Sequence, residues 1–551
     1  KIEASEESAR PPPMMTTSND ASLISASYYL VMRILWAEAN TVEIPSEREV
    51  RAFAQAAIAF LATQSLTFCV MLDAYCWPQS ATAGETIDLM VTSDRSSSSL
   101  EIVRVGAREQ VVDSRQLDDL FEQPVPDDVG RNGCGWQATL QIEIDPTWTS
   151  GFYLARLSNN ADTTGAFFVV KATEPGDALL VLSTSTYAAY NDWQSPSFYT
   201  GGHESSMKRP LPHGFLINED PRRYRAASTV ELPRYERRAH FSTHSVWSVA
   251  AGYANWEHLF VTWAEEQGLV LDYATSLDLA TDPALLDPYK LYLSLGHDEY
   301  WTASMRDTVE SWTNSGGAAV FLSGNTSFWQ IRLEADNSRV IGYKFDFERD
   351  PVMGTDAERS VSTMWSDPLT GRPENEMTGV SFTRGGYANM ASSPPGGGYT
   401  VHQPEHWAFA GLDLHEGDVV GSNPMVVGYE CDGCEMTLVD GRPVPTGAGG
   451  TPESFEILGT APAKLWETHE LAPGLSGDYV GELNWVADRL GGADTKENRD
   501  FYEAGAAVMG TYERGDGWVF TTGCTDWAYG LVDPVVSQIT RNVINRALDA
   551  T

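Results

Sequence analysis

Two apolar, strand-length runs in the middle of the sequence each lead into polar residues that could do chemistry. His297 and Glu299 come directly after the run at 291–295. Asn325 follows closely after the second run, at 318–322. A helical pattern separates the two runs, so the predicted order is strand, helix, strand. Ligands of open parallel sheets bind beyond the carboxyl ends of the strands, and we therefore expect these three residues on neighbouring loops at one edge of a sheet.

Carboxylate, imidazole and phenol groups at strand ends suggest metal-assisted hydrolysis. A glutamate combined with tyrosine phenolates forms a hard, anionic oxygen site, which suits ferric iron or another hard Lewis acid. Such an ion polarises a carbonyl group and acidifies bound water. His297 and Glu299 point to the same side of an extended segment, so His297 would act as a general base or hold the metal-bound water. Alternatively, the tyrosines are packing residues and Glu299 caps the following helix.

The sequence lacks the motifs of several other enzyme classes. It contains no Gly-x-Ser-x-Gly elbow, no glycine-rich phosphate loop and no HExxH motif. Serine-triad, nucleotide-binding and standard zinc chemistry therefore lose support. Cys431 and Cys434 have the spacing of a metal or redox pair, but no second pair matches them. A turn with two free thiols, or a local disulfide, is the simpler interpretation.

Length, charge and the start of the chain limit the class of protein. With 551 residues, two to four domains are expected. The 37 basic and 76 acidic residues give a formal net charge of −39, which argues against nucleic acid because the phosphate backbone would be repelled. No N-terminal signal peptide is evident, and polar residues within the uncharged stretch 54–72 favour a buried helix over a membrane span. We therefore expect a soluble, cytoplasmic protein with no membrane partner.

The apolar pattern divides the chain into successive parts. Residues 1–19 are predicted to be a disordered tail, and residues 20–65 follow a helical pattern. Residues 66–174 alternate with period two between turn signals, which predicts an antiparallel β-sandwich. From 175 to 551 the apolar runs no longer alternate and helical patterns separate them, which predicts an α/β catalytic domain with a mainly parallel sheet. A segment rich in glycine and proline, at about 335–480, is predicted to be a loop-rich insertion in this domain.

The segment around the polar strand ends is similar to a known family. The sequence GHDEYWTASMRDTVE, followed by GGAAVFLSGNTSFWQIRLE, resembles the catalytic region of the large subunit of N,N-dimethylformamidase and its relatives. Shorter matches are TYAAYN, where relatives carry a TWxAYN-like segment, then KRPL, VVGYE and GWVFTTGCTDWAYGL. The resemblance extends from about residue 178 to the end of the chain and, more loosely, over the sandwich. It implies a glutamine-amidotransferase-like fold for the α/β domain.

The resemblance also implies a mononuclear ferric iron held by two tyrosines and one glutamate. Glu299 matches the carboxylate ligand, and His297 matches the catalytic histidine beside it. Asn325 matches a polar residue of the substrate pocket, and Glu430 matches a second carboxylate there. We therefore assign catalytic roles to these four residues.

The tyrosine ligands follow from the shorter matches. Tyr190 is assigned as the first ligand, because Tyr187 falls where relatives carry tryptophan. The second ligand does not align, since relatives show Arg-Pro-Tyr where this chain has Arg-Pro-Leu. We assign it to Tyr224 and keep Tyr187, Tyr199 and Tyr235 as alternatives.

The activity implied by the resemblance is hydrolysis of the C–N bond of a small N,N-dialkyl amide, such as N,N-dimethylformamide, to a carboxylate and an amine. Iron would bind the amide oxygen or a water molecule, while His297 or Glu430 takes a proton from water. A small apolar pocket would be formed by Trp193, Trp301, Phe328 and Trp329.

The partners implied are a small amide substrate and other protein chains. The related large subunit pairs with a small helical subunit, a role that the segment 20–65 could take within this chain. We also expect a homo-oligomer, because short helices need a surface on which to dock. Two other functions stay open. One is a carbohydrate-active or carbohydrate-binding protein, suggested by the sandwich and the 17 tryptophans, and the other is a non-catalytic relative without its metal.

Overall fold

The computed structural model describes residues 72–160, 162–225, 236, 239–390, 393–467 and 482–549. These residues belong to one compact unit, Val70–Thr551. The predicted tail at 1–19, the predicted helical segment at 20–65 and Tyr235 lie outside the described residues. The domain boundary near residue 175 stays a prediction.

Strands before residue 175 form two facing sheets. They are β1 Leu72–Trp77, β2 Ser80–Ala81, β3 Thr86–Ser93, β4 Ser97–Val105, β5 Glu109–Asp118, β6 Ala138–Glu143, β7 Gly151–Ser158 and β8 Thr163–Val170. One sheet has the order β1-β3-β6 and the other has the order β2-β8-β7-β4-β5. Side chains from both sheets, such as Leu89, Ile102 and Phe168, share one buried core, because alternate residues of a strand point to the same face.

Strands after residue 175 build a large central sheet and several small ones. In chain order they are β9 Ala178–Leu182, β10 Glu204–Ser206, β11 Asp272–Thr275, β12 Leu291–His297, β13 Tyr300–Trp301, β14 Ala318–Gly324, β15 Trp329–Gln330, β16 Arg332–Glu334, β17 Arg339–Ile341, β18 Ser381–Tyr387, β19 Tyr399–Val401, β20 Val419–Val420, β21 Glu430–Gly433, β22 Met436–Val439, β23 Arg442–Pro445, β24 Glu456–Ala463, β25 Gly505–Arg514 and β26 Gly517–Thr521. The central sheet has the order β11-β9-β12-β14-β26-β25-β24-β19-β20.

The central sheet is mixed, so the prediction of a mainly parallel, glutamine-amidotransferase-like α/β domain is wrong. Neighbouring strands run parallel from β11 to β26 and antiparallel from β26 to β20. Strands in several sheets dominate the described residues. An apolar run that does not alternate indicates burial on both faces, but it does not give the direction of the strand. Part of the antiparallel half, namely β19, β20 and β24, comes from the segment predicted to be loop-rich.

Helices cover both faces of the central sheet. The helices are α1 Val129–Asn132, α2 Thr184–Tyr190, α3 Pro221–Tyr224, α4 Glu257–Glu266, α5 Ser276–Thr281, α6 Ala303–Asn314, α7 Asn375–Thr378, α8 Glu482–Gly491, α9 Lys496–Glu503 and α10 Pro534–Asp549. On one face, Phe260 of α4 and Ile539 of α10 share a core with Leu293 of β12. On the other face, Met305 of α6 shares a core with Tyr292. Among the helices within the described ranges, none has both the length and the apolar character that crossing a membrane requires.

Helix α6 begins directly after Thr302. The side-chain oxygen of Thr302 accepts a hydrogen bond from the backbone N–H of Met305 at 3.2 Å, as an N-cap does. The cap fixes the chain directly after the polar segment that follows β12.

Candidate active site

The predicted site residues lie at the carboxyl ends of two adjacent parallel strands. β12 ends at His297 and β14 ends at Gly324, and these two residues are paired in register. Glu299 follows β12 and Asn325 follows β14, so three polar side chains meet at this edge of the sheet. His297, Glu299 and Asn325 are all buried. The structure therefore brings together the three residues singled out by the strand–helix–strand pattern.

Glu430 reaches the same place as the first residue of β21. A Cβ atom on Gly324 would lie 2.5 Å from the carbonyl oxygen of Glu430, so only glycine fits at this close approach. The next residue, Asn325, has a φ of +50°, a left-handed conformation that asparagine adopts more readily than most residues. Its Nδ2 donates a hydrogen bond to Oε2 of Glu430 at 2.9 Å.

His297 bridges the two carboxylates. Its Nε2 lies 2.6 Å from Oε2 of Glu430 and 3.3 Å from Oε2 of Glu299. Its Nδ1 donates to the carbonyl oxygen of Ala250 at 2.8 Å, so Nε2 is the atom that faces the acids. Burial acts to lower the pKa of His297, but the charges of Glu430 and Glu299 outweigh burial and raise it to about 9. Burial likewise acts to raise the pKa of Glu430, but His297 outweighs it and holds the pKa below its usual value. The two form an imidazolium–carboxylate pair at neutral pH.

Tyrosine hydroxyls converge beside Glu299. Tyr199 donates a hydrogen bond to Oε1 of Glu299 at 2.8 Å, and Nε1 of Trp329 donates to the same oxygen at 2.7 Å. The hydroxyls of Tyr190 and Tyr300 donate to that of Tyr199 at 2.8 and 3.0 Å. Burial, followed by the charge of Glu299, raises the pKa of Tyr190 and of Tyr199 well above the usual phenol value. Both hydroxyls therefore keep their protons unless a cation binds beside them.

The other tyrosine candidates contact different partners. The ring of Tyr224 stacks on His240, with centroids 3.7 Å apart, and Tyr187 donates a hydrogen bond to Glu257. Tyr199, which the sequence analysis kept as an alternative, is the tyrosine that contacts Glu299. The structure thus brings Tyr190 and Tyr199 into the cluster and places Tyr224 against His240 instead.

Lys344 is a site residue that the sequence analysis missed. Its Nζ lies 3.2 Å from the centroid of the Tyr199 ring and donates no hydrogen bond to any described residue. Burial lowers the pKa of Lys344 to about 7, although Glu299 acts in the opposite direction. Its φ of +56° is a strained conformation for such a residue. The signal available in the sequence was a lysine between two aromatic residues, Tyr343 and Phe345.

A cavity of about 220 Å³ lies at the centre of these residues. Its polar walls are Tyr199, Glu299, Asn325, Lys344, Glu430 and Glu482. This volume includes the opening to solvent; the part that the centre of a water molecule can reach is about 10 Å³, about the minimum that holds one water. Pockets for drug-sized ligands are larger, roughly 300–1,000 Å³. The cavity therefore suits a molecule of few non-hydrogen atoms.

Two of the four predicted apolar pocket residues line this cavity. Phe328 and Trp329 form part of its wall. Trp301 instead belongs to the core on one face of the central sheet. Trp193 packs edge-on against Trp136, with ring centroids 5.8 Å apart. Side chains that the prediction missed, Phe345, Phe382 and Tyr387, complete the aromatic part of the wall.

The oxygen atoms around Glu299 fit a hard metal ion. Oε2 of Glu299 is buried and accepts no hydrogen bond within the described part of the chain, while the hydroxyls of Tyr190 and Tyr199 belong to the same cluster. In the described ranges no three His, Cys, Asp or Glu side chains are arranged to hold a metal, so a metal ion here needs phenol oxygens. Carboxylate and phenolate are hard, anionic ligands, which suit a hard cation such as ferric iron.

A larger cavity, of about 420 Å³, is lined by residues of the sandwich and of helix α2. Arg209 is the charged side chain in its wall, but the guanidinium donates to the carbonyl oxygens of Asn191, Trp193 and Ser206. The described residues that line it include no carboxylate. This space therefore lacks the acid–base groups of the smaller cavity, and the Arg-Pro segment serves to fix the chain after α2.

Comparisons with known proteins match most of the described chain. A family model described as "N,N-dimethylformamidase beta subunit-like, C-terminal" matches residues 99–541. The N,N-dimethylformamidase beta subunit of Alcaligenes sp. is 23% identical over 368 residues, and that of Paracoccus aminophilus is 22% identical over 368 residues. Each match covers 60% of this chain and 44% of the relative. The chain thus spans less than half the length of these relatives.

Proposed function

Because the chain belongs to the N,N-dimethylformamidase beta subunit-like family, we propose that it hydrolyses the C–N bond of a small amide to a carboxylate and an amine. The proposed substrate class is a small N,N-dialkyl amide such as N,N-dimethylformamide, the compound in the names of the matched relatives. The observation that carries the proposal is that Glu299, Asn325 and Glu430 line one small cavity, while His297 bridges the two carboxylates.

In this proposal the His297–Glu430 pair provides the base. A water molecule in the cavity gives a proton to the carboxylate of Glu430, whose Oε2 lies 2.6 Å from the protonated Nε2 of His297. The carbonyl of Ala250 fixes the imidazole, and Nδ2 of Asn325 fixes the carboxylate. The resulting hydroxide attacks the amide carbonyl carbon. A positioned acid–base group contributes roughly 10²–10⁴ in rate.

Tyr190, Tyr199 and Glu299 are the residues that we assign to a mononuclear ferric iron. When bound, this ion supplies Lewis acidity that polarises the carbonyl group and lowers the pKa of water. Glu299 offers the oxygen that accepts no hydrogen bond within the described ranges, and the two tyrosines offer hydroxyls that ionise beside a cation. Lys344, which lies against the Tyr199 ring, supports this ionisation in its protonated form, because a nearby positive charge stabilises a phenolate.

The cavity walls restrict the substrate to small amides of low polarity. Phe328, Trp329 and Phe382 line one part of the space, and the acid–base groups line the rest. Moving an N-methyl group from water into such aromatic surroundings lowers its free energy. Long acyl chains are too large for the small space between these walls.

We further propose that the chain works within an oligomer. Both matched relatives carry the word "subunit" in their names. The assembly would be a homo-oligomer or a complex with a small helical subunit. Light scattering on the purified chain tests this: two or more copies are expected, whereas a fully active monomer would contradict it.

Carbohydrate binding receives little support from the tryptophans. Trp256, Trp301, Trp365 and Trp527 are among the largest fully buried side chains. They fill the core and offer no exposed ring face on which a sugar could stack.

Amine release by the purified, iron-supplemented protein tests the proposed function. We expect formate and dimethylamine in equal amounts from N,N-dimethylformamide, and much slower reaction of N,N-dibutylformamide, which is too large for the cavity. No amine release from N,N-dimethylformamide, formamide or acetamide would contradict the proposal.

A further inference from the structure

Glu482 is a buried acid in the cavity wall to which the proposed mechanism gives no role. It is the first residue of α8, and its side chain is 5% exposed. Tyr387 donates a hydrogen bond to Oε1 at 2.9 Å. Oε2 is buried without a hydrogen-bond partner among the described residues. The carboxyl group thus has one oxygen fixed by the protein and one oxygen free for a ligand in the cavity.

Aromatic packing holds this carboxyl group in place. The ring of Tyr387 stacks on Trp466, with centroids 4.0 Å apart. The start of α8 is tied to the same tryptophan, because the backbone N–H of Leu483 donates to its carbonyl oxygen at 3.0 Å. Glu482 and the tyrosine that orients it are therefore fixed against one residue, Trp466, so their geometry is set before a ligand enters.

The protonation state of Glu482 suits a proton donor. Burial raises its pKa to about 8, while its own backbone N–H, Tyr387 and Lys344 act to lower it and Glu430 acts to raise it. The acid is therefore neutral at pH 7. Since the Tyr387 hydroxyl donates to Oε1, the proton of the acid resides on Oε2, the oxygen without a partner.

Hydrolysis of a dialkyl amide requires such a donor. A dialkylamide anion is a very poor leaving group, so nitrogen must be protonated as the C–N bond breaks. In the proposed mechanism the His297–Glu430 pair is occupied by the proton taken from water. Either that pair passes its proton on to nitrogen, or a second group supplies one, and Glu482 has an oxygen in the same cavity wall that is free of hydrogen bonds to the described residues.

We propose that Glu482 is the general acid that protonates the amide nitrogen while the C–N bond breaks. This inference rests on the proposed amide hydrolysis. Water adds its oxygen to the carbonyl carbon and gives one proton to the His297–Glu430 pair. Oε2 of Glu482 gives its proton to nitrogen, the C–N bonding pair moves to nitrogen, and the amine leaves neutral. The proton held by the pair then returns to Glu482, so one amide and one water become one acid and one amine.

Two substrates with different leaving groups test the proposal. N,N-Dimethylformamide needs protonation of its leaving group, whereas 2,2,2-trifluoroethyl formate, which is also small, releases a weakly basic alkoxide without it. For Glu482→Gln we expect a loss of roughly 10²–10⁴-fold in kcat on the amide and a change of only a few-fold on the ester. We expect the wild-type kcat on the amide to fall above pH 8, where Glu482 loses its proton. The kcat on the ester should show no such fall.

Two further variants provide controls. Glu257→Gln alters a buried acid that also accepts a hydrogen bond from a tyrosine, Tyr187, but does not line the cavity, and it should behave as wild type on both substrates. Tyr387→Phe keeps the acid but removes its orienting bond, and it should slow the amide more than the ester.

The possible outcomes distinguish failure of the general-acid role from failure of the proposed amide hydrolysis. Equal losses of Glu482→Gln on amide and ester, or no loss on the amide, would overturn the general-acid role while leaving amide hydrolysis intact. A wild-type protein that hydrolyses the ester but no amide would overturn the proposed function and the general-acid role together. If Glu482→Gln does not fold, the amide-to-ester ratio of Tyr387→Phe decides the question, and an unchanged ratio would overturn the proposal.

Discussion

The two oxygens of the Glu299 carboxylate have different surroundings. Oε1 accepts hydrogen bonds from Tyr199 and Trp329, whereas Oε2 accepts none within the described residues and lies 3.3 Å from Nε2 of His297. One oxygen is thus fixed by the protein and the other is available to a cation or to a polarised water. This asymmetry makes Glu299 the centre of the site.

Removing single hydroxyl groups tests the tyrosine assignment. Tyr199→Phe deletes the donor to Glu299 but keeps the ring, and we expect at least about tenfold weaker iron binding and loss of the visible iron–phenolate absorption band. Tyr224→Phe is the matched control and should keep both, because Tyr224 stacks on His240. Iron content by mass spectrometry and the visible spectrum provide the readouts. Equal iron binding by the two variants would contradict the assignment.

The sequence named Tyr199 among its alternatives but could not choose it, because its contact with Glu299 spans 100 positions. The segment after α2 folds back on that helix, and the backbone N–H of Phe198 donates to the carbonyl of Ala189 at 3.0 Å. Tyr199 then stacks on Tyr190, with ring centroids 4.5 Å apart. No periodicity encodes such a turn. His297, Glu299 and Asn325, in contrast, follow strands that are visible in the sequence.

Tyr224 lies outside the cluster around Glu299, and the residue that follows it fixes its position. Arg225, directly after α3, is buried and pairs with Asp526 at 2.9 Å. Nε1 of Trp256 donates to the same carboxylate at 2.8 Å. This buried ion pair fixes α3 by a partner about 300 positions away, which spacing within the sequence does not reveal.

At the level of strands and helices, the adjacent strands β12 and β14 determine where the site lies. Its parallel direction was predictable, because a strand, a helix and a second strand in succession are the usual parallel unit. The directions of β24, β25 and β26 were not, since apolar runs look alike whichever way they point. The mixed sheet matters to the site because β21, which carries Glu430, lies in the chain between strands of its antiparallel half.

Gly324 tests the contact between β14 and β21. A Cβ atom at this position would lie 2.5 Å from both the carbonyl oxygen of Glu430 and the backbone nitrogen of Thr525. We expect Gly324→Ala to lower the free energy of unfolding by about 1–3 kcal/mol and to reduce activity by displacing Glu430. Urea denaturation measures the first effect. Gly397→Ala is the control, because nothing lies within 4 Å of a Cβ atom there, and it should change the free energy of unfolding by less than about 0.5 kcal/mol. Equal effects of Gly324→Ala and Gly397→Ala would contradict the close contact between β14 and β21.

The molecule as a whole combines a strongly acidic surface with buried, neutral acids. Its formal net charge is −39. Burial raises the pKa of Glu257, Asp432 and Glu482 to about 8 each. These carboxyl groups hold protons in the folded protein that they release when it unfolds at neutral pH. Stability must therefore depend on pH in a direction opposite to that of a salt-bridged acid.

The pH dependence of stability tests these buried acids. The carboxyl of Glu257 has an ordinary pKa of 4.5, raised by burial to about 8 in the folded protein. Its stabilising proton is fully present below pH 4.5 and is lost as pH rises through 8, so the free energy of unfolding should fall across that range. Each unit of pKa difference corresponds to about 1.4 kcal/mol. Glu257→Gln should make the dependence shallower; an unchanged slope in urea denaturation between about pH 5 and pH 9 would argue against a neutral Glu257.

The most direct test of the central claim is the rate of dimethylamine release from N,N-dimethylformamide by three iron-supplemented proteins. These are the wild type, Glu430→Gln and Glu374→Gln, the last altering a buried acid that does not line the cavity. We predict that the wild type is active, that Glu430→Gln loses roughly 10²–10⁴-fold in kcat, and that Glu374→Gln stays within a few-fold of the wild type. Undiminished activity of Glu430→Gln would contradict the claim that the His297–Glu430 pair activates water in this cavity.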